Sequence, residues 1–121
     1  MARKPFVWGK CDCCLAACDV LVAIGLPDPA QRFRGTYDDA AGAADVLARH
    51  GGLVATVTPA FASLGWPEIR PDAAMAGDIG IVMVPTPALA VFDGDRWCVK
   101  AQRGMLRARK AAVAWATGYR A

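Results

Sequence analysis

The sequence predicts an α+β domain, with helices in its first half and short antiparallel strands in its second. Three observations carry this. Residues 13–24 and 40–49 are apolar or Ala-rich runs with capping residues before them and glycines after them. Residues 79–107 hold short β-prone runs separated by Gly, Pro and Asp. The chain has 121 residues, 55% hydrophobic and 21% charged, with no internal repeat or low-complexity linker, so residues 1–121 read as a single domain. This composition excludes a disordered chain. No apolar run approaches the ~20 residues of a membrane span; the longest, Leu15 to Ile24, is short and contains Cys18 and Asp19.

The first helix is expected from Cys13 to Ile24, capped by Asp12 and stopped by Gly25, with Pro27 and Pro29 forbidding continuation. It is apolar on nearly every side, which suits a central buried helix with a polar N-terminus at the surface. Asp19 within it needs a partner, and the Arg32-Phe33-Arg34 segment offers one. Thr36-Tyr37-Asp38-Asp39 is a capping-box variant announcing a second helix, Ala40 to Arg49, which stops at His50-Gly51-Gly52. Leu53 to Leu64 reads as a short helix or a loop: Val54, Thr56, Val57 and Thr58 favour a strand, and Pro59 interrupts one. Strands are expected at 79–84, 89–92 and 96–101, the last two joined by the turn Asp93-Gly94-Asp95, then at 105–107. A short Ala-rich helical turn and a segment around Trp115 complete the sheet. Trp8 and Trp66 are expected to cover core edges.

Four of the five cysteines are Cys11, Cys13, Cys14 and Cys18; Cys98 stands apart. Met1-Ala2-Arg3-Lys4 is followed by Pro5, Trp8 and polar residues rather than an apolar stretch, so the expectation is a mature chain starting near Met1 without a secretory signal. An odd cysteine count in that context argues for reduced thiols made in a cytoplasm. Cys13 falls at a helix N-terminus, where free N–H groups and the helix dipole favour the reactive thiolate. A nucleophilic cysteine needs a base, and the one histidine, His50, follows a helix C-terminus, where it suits free carbonyls better than Cys13. Thiols also bind zinc or iron–sulfur centres, but four of them within eight residues lack the two paired knuckles of a structural zinc site. Cys14 and Cys18 share one helix face and pack as small hydrophobes, and Cys98 reads as a buried strand position. No metal or other cofactor is assigned, and a thiol-ligated metal protein stays open as an alternative.

The net charge of +3 is unevenly placed. Seven of the 14 basic residues lie between Arg96 and the C-terminus with no acid among them, leaving seven basic against eleven acidic residues in the rest. Such an end is a solvated face or docks on an acidic partner or nucleic acid. Only Trp97, Trp115 and Tyr119 interleave with it, so nucleic acid is not expected. Arg103, Arg107, Arg109 and Lys110 are the residues of a partner surface.

Pro5-Phe6-Val7-Trp8-Gly9, then Asp12-Cys13-Cys14-Leu15 opening an apolar helix, then Gly77-Asp78-Ile79 opening a strand, resemble the NlpC-type branch of the papain-like cysteine peptidases, from Pro5 to Gln102. Those enzymes cleave cell-wall peptides. The Asp-Cys-Cys-Leu form and the short length also resemble small proteins found beside tail genes in tailed phages, prophages and gene-transfer particles. The resemblance implies a papain-like fold, N-terminal helices packed on a small antiparallel sheet, with Cys13 as nucleophile and Trp8, Asp12 and Asp78 around the cleft. From the residues themselves, Asp12 caps the helix and Asp78 bonds backbone at the start of its strand.

Two departures stand out. Where the family has a His-Val-Gly-Ile pattern this chain has Ala88-Leu89-Ala90-Val91, and Phe6 stands where the family commonly has a tyrosine. Without a base, a cysteine peptidase loses both thiol activation and the acid that protonates its leaving amine, at ~100–10,000-fold each. The expected function is therefore a noncatalytic papain-like component of a phage-type tail tip, made in a bacterial cytoplasm, assembled into a virion or phage-like particle and bound to tail-tip, hub or distal tail proteins. The alternative from another class is an active cysteine peptidase or amidase of cell-wall peptides with Cys13 as nucleophile.

Overall fold

In the computed structural model, which describes residues 5–119, the chain runs α1 (Cys13–Ala23), α2 (Ala40–Arg49), α3 (Leu53–Ser63), β1 (Glu68–Ile69), β2 (Ile79–Met83), β3 (Pro87–Phe92), β4 (Trp97–Lys100), β5 (Met105–Ala108) and β6 (Val113–Trp115). Arg3 and Lys4 of the N-terminal segment and Arg120 of the basic end lie outside the described residues. The strands form one antiparallel sheet in the order β1-β6-β2-β3-β4-β5, so the chain is α+β.

Each helix ends by the same device. Gly25, Gly51 and Gly65 take positive φ just past the helix, and the next amide turns back to the carbonyl of Leu21, Leu47 or Phe61. This closes carbonyls that the last turn leaves free, and only glycine adopts that backbone at low cost.

Leu15, Ala17, Cys18 and Leu21 of α1, with Leu53, Val57 and Phe61 of α3, pack on Ile79, Ile81, Leu89, Val91 and Trp115 of the sheet. Each large aliphatic side chain enclosed this way contributes about 1.5–3 kcal/mol. The opposite sheet face is buried as well, its Val82, Ala88, Ala90, Trp97, Val99 and Ala114 forming a second cluster. Ile79, Gly80, Ile81 and Val82 are consequently buried in succession instead of alternately. Gly80 makes this possible, because a Cβ there would lie 2.7 Å from the Trp97 indole and 2.8 Å from the Val113 carbonyl oxygen.

Several expectations are corrected. The cap of α2 is Asp39, whose carboxylate accepts the Gly42 amide, while the Thr36 hydroxyl turns back to the Phe33 carbonyl. Residues 53–63 are helical despite their strand-prone composition. Leu53, Val57 and Phe61 recur every four residues and bury one helical face, and the Thr56 and Thr58 hydroxyls donate to the Gly52 and Val54 carbonyls. The third strand begins at Pro87 and takes in Ala88. No helical turn forms around Ala111; the chain bends at Arg109 and Ala112 and places β6 between β1 and β2, with the Ala112 amide on the Ile81 carbonyl. Strand β1 was not expected. Cys98 is half-buried, not a core position: it lies opposite Arg107, and its thiol donates to Asp93 at 3.6 Å. Asp19 finds its partner in Arg34, 2.8 Å away, which also holds Asp28. Trp66 packs on Phe61 in the core, and Trp8 is half-buried.

Candidate functional site: a thiol pair at the start of the first helix

Asp12 organises the site. One carboxylate oxygen accepts the amides of Cys14 and Leu15 at 3.1 and 2.9 Å; the other accepts the Gly9 amide at 3.1 Å and the Tyr37 hydroxyl. Asp12 is 1% exposed, so a buried carboxylate is held by four donors from three segments of chain. Gly9 takes φ +80° and passes so close to the Tyr37 carbonyl that any Cβ would collide with it. Burial, and then the hydrogen bond to Asp12, push the Tyr37 phenol well above its ordinary range. The phenol keeps its proton and donates it in the hydrogen bond to Asp12.

Cys13 is the first residue of α1 and is half-buried, its sulfur 4.0 Å from that of Cys14. The hydrogen bond from the Cys14 thiol lowers the Cys13 pKa, and backbone amides at the helix start add to this against burial and the Asp12 charge. Cys14 moves the other way, because it gives that hydrogen bond and its sulfur is enclosed. Burial pushes Cys18 up to about 12. One thiol of the cluster is thus prepared to ionise and two are held protonated. Cys11 is buried in a tight loop where its amide and carbonyl bond to Val7.

The pair opens on a cavity of about 500 Å³ between α1, α2, α3, the 29–37 segment and the β2–β3 loop. This is within the size range of small-molecule sites. Its walls are mostly apolar, with Phe33, Val46, Leu47, Leu53, Phe61 and Leu89 among them, and Trp8 and Tyr37 also line it. The titratable groups lining it, among the described residues, are Asp12, Cys13, Cys14, Cys18 and Tyr37.

Of the residues singled out in the sequence, Trp8, Asp12 and Cys13 come together here. Asp78 does not. It sits before β2 outside the cavity lining, where its carboxylate accepts the Met75 amide at 2.9 Å and the Thr117 amide at 3.1 Å, tying the C-terminal segment to the sheet. Its acceptors are used structurally, which matches the backbone role read for it. Arg103, Arg107, Arg109 and Lys110 are exposed around β5, away from the cavity, and Arg107 pairs with Asp93. His50 is exposed at the end of α2, its Nδ1 2.8 Å from the Val46 carbonyl oxygen and its ring edge-on to Phe33. It does not line the cavity. Ala88 is buried in the cluster against which Cys13 packs, and Phe6 stacks edge-on against Trp8 at 4.9 Å. Tyr37 is the site residue that sequence reading missed; it appeared there only as part of a capping box. Among the described residues, no group of three or more His, Cys, Asp or Glu is arranged to hold a metal ion.

Fold and site together define an α+β domain with a helix-borne thiol pair beside an apolar cavity. The chain belongs to the family described as Domain of unknown function (DUF6950), whose model matches residues 1–117. No curated protein and no solved structure matches it. No helix among the described residues is long and apolar enough to cross a membrane.

Proposed function

We propose that this chain is a noncatalytic papain-like domain of the NlpC type that serves as a structural or assembly component of a phage-type tail tip or hub, in contact with tail-tip, hub or distal tail proteins. The observation that carries the noncatalytic part is the lining of the cavity beside Cys13. It offers a thiol prepared to ionise, but no histidine, lysine or unoccupied carboxylate among its described residues. Asp12 is filled by four donors, and the sheet cluster that meets Cys13 presents Ala88 in place of an imidazole. A thiolate with no acid to protonate the leaving amine is a poor peptidase. The tail assignment is supported by the resemblance of the Asp12-Cys13-Cys14-Leu15 segment. Copurification with a tail hub or distal tail protein, together with failure to digest peptidoglycan, is the expected result. Digestion by wild type and not by Cys13→Ala overturns the proposal.

A second reading, a cysteine peptidase or amidase of cell-wall peptides, is favoured by the lowered pKa and partial exposure of Cys13 at the mouth of a ligand-sized cavity. The same digestion experiment decides between the two.

A further inference from the structure

The two edges of the sheet are built differently. At one edge β1 has two residues between Pro67 and Pro71, the short, proline-flanked form that discourages further pairing. At the other edge β5 runs for four residues, Met105 to Ala108, without proline, and pairs only with β4. An antiparallel edge strand directs alternate N–H and C=O groups outward, away from its one neighbour. Met105 and Leu106 are 38% and 45% exposed, and no described segment lies over this edge as a further strand.

Charge decides what fits there. Arg103, Arg107, Arg109 and Lys110 surround β5 with no acid between them. Arg107 is engaged with Asp93, whereas Arg103, Arg109 and Lys110 are exposed and form no ion pair among the described residues. A second copy pairing edge to edge would set cations against cations, which is destabilising across strands. An acidic chain gains on both counts: its backbone completes the ladder and its carboxylates meet the unpaired cations.

We propose that β5 is a strand-addition site for an extended acidic segment of a partner protein. This gives a chemistry to the partner surface of the function proposed above, and rests on that reading for the existence of such a partner. The probe is a fluorescein-labelled peptide alternating Val with Glu, titrated into the full chain by anisotropy and by amide NMR. The expected result is binding that weakens on going to about 0.5 M salt, where the Debye length is only a few ångströms, with shifts centred on the Met105–Ala108 amides. Two changes should each weaken it about tenfold or more: Arg103→Glu with Arg109→Glu in the protein, and proline in the middle of the peptide at unchanged charge.

Equal binding of the proline peptide overturns strand addition, since charge alone would then suffice. So does tighter binding of a single-stranded oligonucleotide, shifts centred elsewhere, or no binding at all. A chain that copurifies with tail proteins but leaves the β5 amides unmoved overturns this inference alone. One that takes the peptide at β5 and also digests peptidoglycan overturns only the function proposed above.

Discussion

The hydroxyl of Tyr37 donates to the same oxygen of Asp12 that accepts the Gly9 amide, while the other oxygen caps α1. The loop before α1, the start of α1 and the 29–37 segment therefore converge on one carboxylate. Tyr37→Phe removes one donor and leaves the rest, so it should cost about 1 kcal/mol in urea unfolding. Asp12→Ala strands buried amides as well as the phenol and should cost about 2–4 kcal/mol. Equal effects of the two changes would contradict this arrangement.

The thiols should separate by reactivity. With iodoacetamide on the native chain, Cys13 is alkylated first, at a pH below the ordinary thiol range, because the Cys14 hydrogen bond favours its thiolate. Cys14 and Cys18 resist until the chain unfolds. Asp12→Asn removes a negative charge that opposes ionisation and should move the Cys13 profile to still lower pH. Peptide mapping of the alkylated protein checks the order.

Cys18 also sets an alkaline limit. Its pKa rises from 9.0 to about 12 on folding, so above 9.0 the unfolded chain gives up a proton that the folded chain keeps. The stability held by the neutral buried thiol is complete below 9.0 and is lost as pH rises toward 12. Cys18→Ala creates a small cavity and lowers stability throughout, but it should flatten this part of the pH curve. A slope unchanged by Cys18→Ala would assign the effect elsewhere.

Gly80 should tolerate no side chain. Gly80→Ala drives a methyl into the Trp97 ring and the Val113 carbonyl, at about 1–3 kcal/mol. Combining it with Trp97→Phe should relieve part of that cost and not all, because the carbonyl remains. Additive losses in a double-mutant cycle would show that the two residues do not meet.

Arg34 joins α1 to the segment after it by holding Asp19 at 2.8 Å and Asp28 through two nitrogens. Arg34→Lys keeps the charge but cannot reproduce the fork, so it should lose about 1–2 kcal/mol, most of what Arg34→Ala loses. Full retention of thermal stability by the lysine variant would show that charge alone is needed.

The first two helices and the central strands were legible because their signals are local. Asp12 and Gly25 bracket α1, and Asp93-Gly94-Asp95 turns β3 into β4, the Asp93 carboxylate accepting the amides of Asp95 and Arg96. What could not be read was set by distant partners. β1 exists only through its pairing with β6, and α3 overrides its own strand propensity because one face of it is buried. The same holds at the site. Cys13 and Asp12 could be found from a helix start, whereas Tyr37, 25 residues from Asp12, is brought back to it by the irregular stretch that follows α1. Asp78 was read correctly as a backbone acceptor, but nothing local shows that one of its two oxygens serves a segment 39 residues later.

Trp97 and Trp115 are both almost wholly enclosed, yet they stand on opposite sides of one sheet, Trp115 against Phe61 of α3 and Trp97 against Phe92. The protein thus carries two built-in optical reporters of separate layers. In variants keeping only one indole, emission from Trp115 follows the seam between helices and sheet, and emission from Trp97 follows the far side. Coincident changes on heating identify a chain that melts as one cooperative unit; staggered ones identify the layer that lets go first.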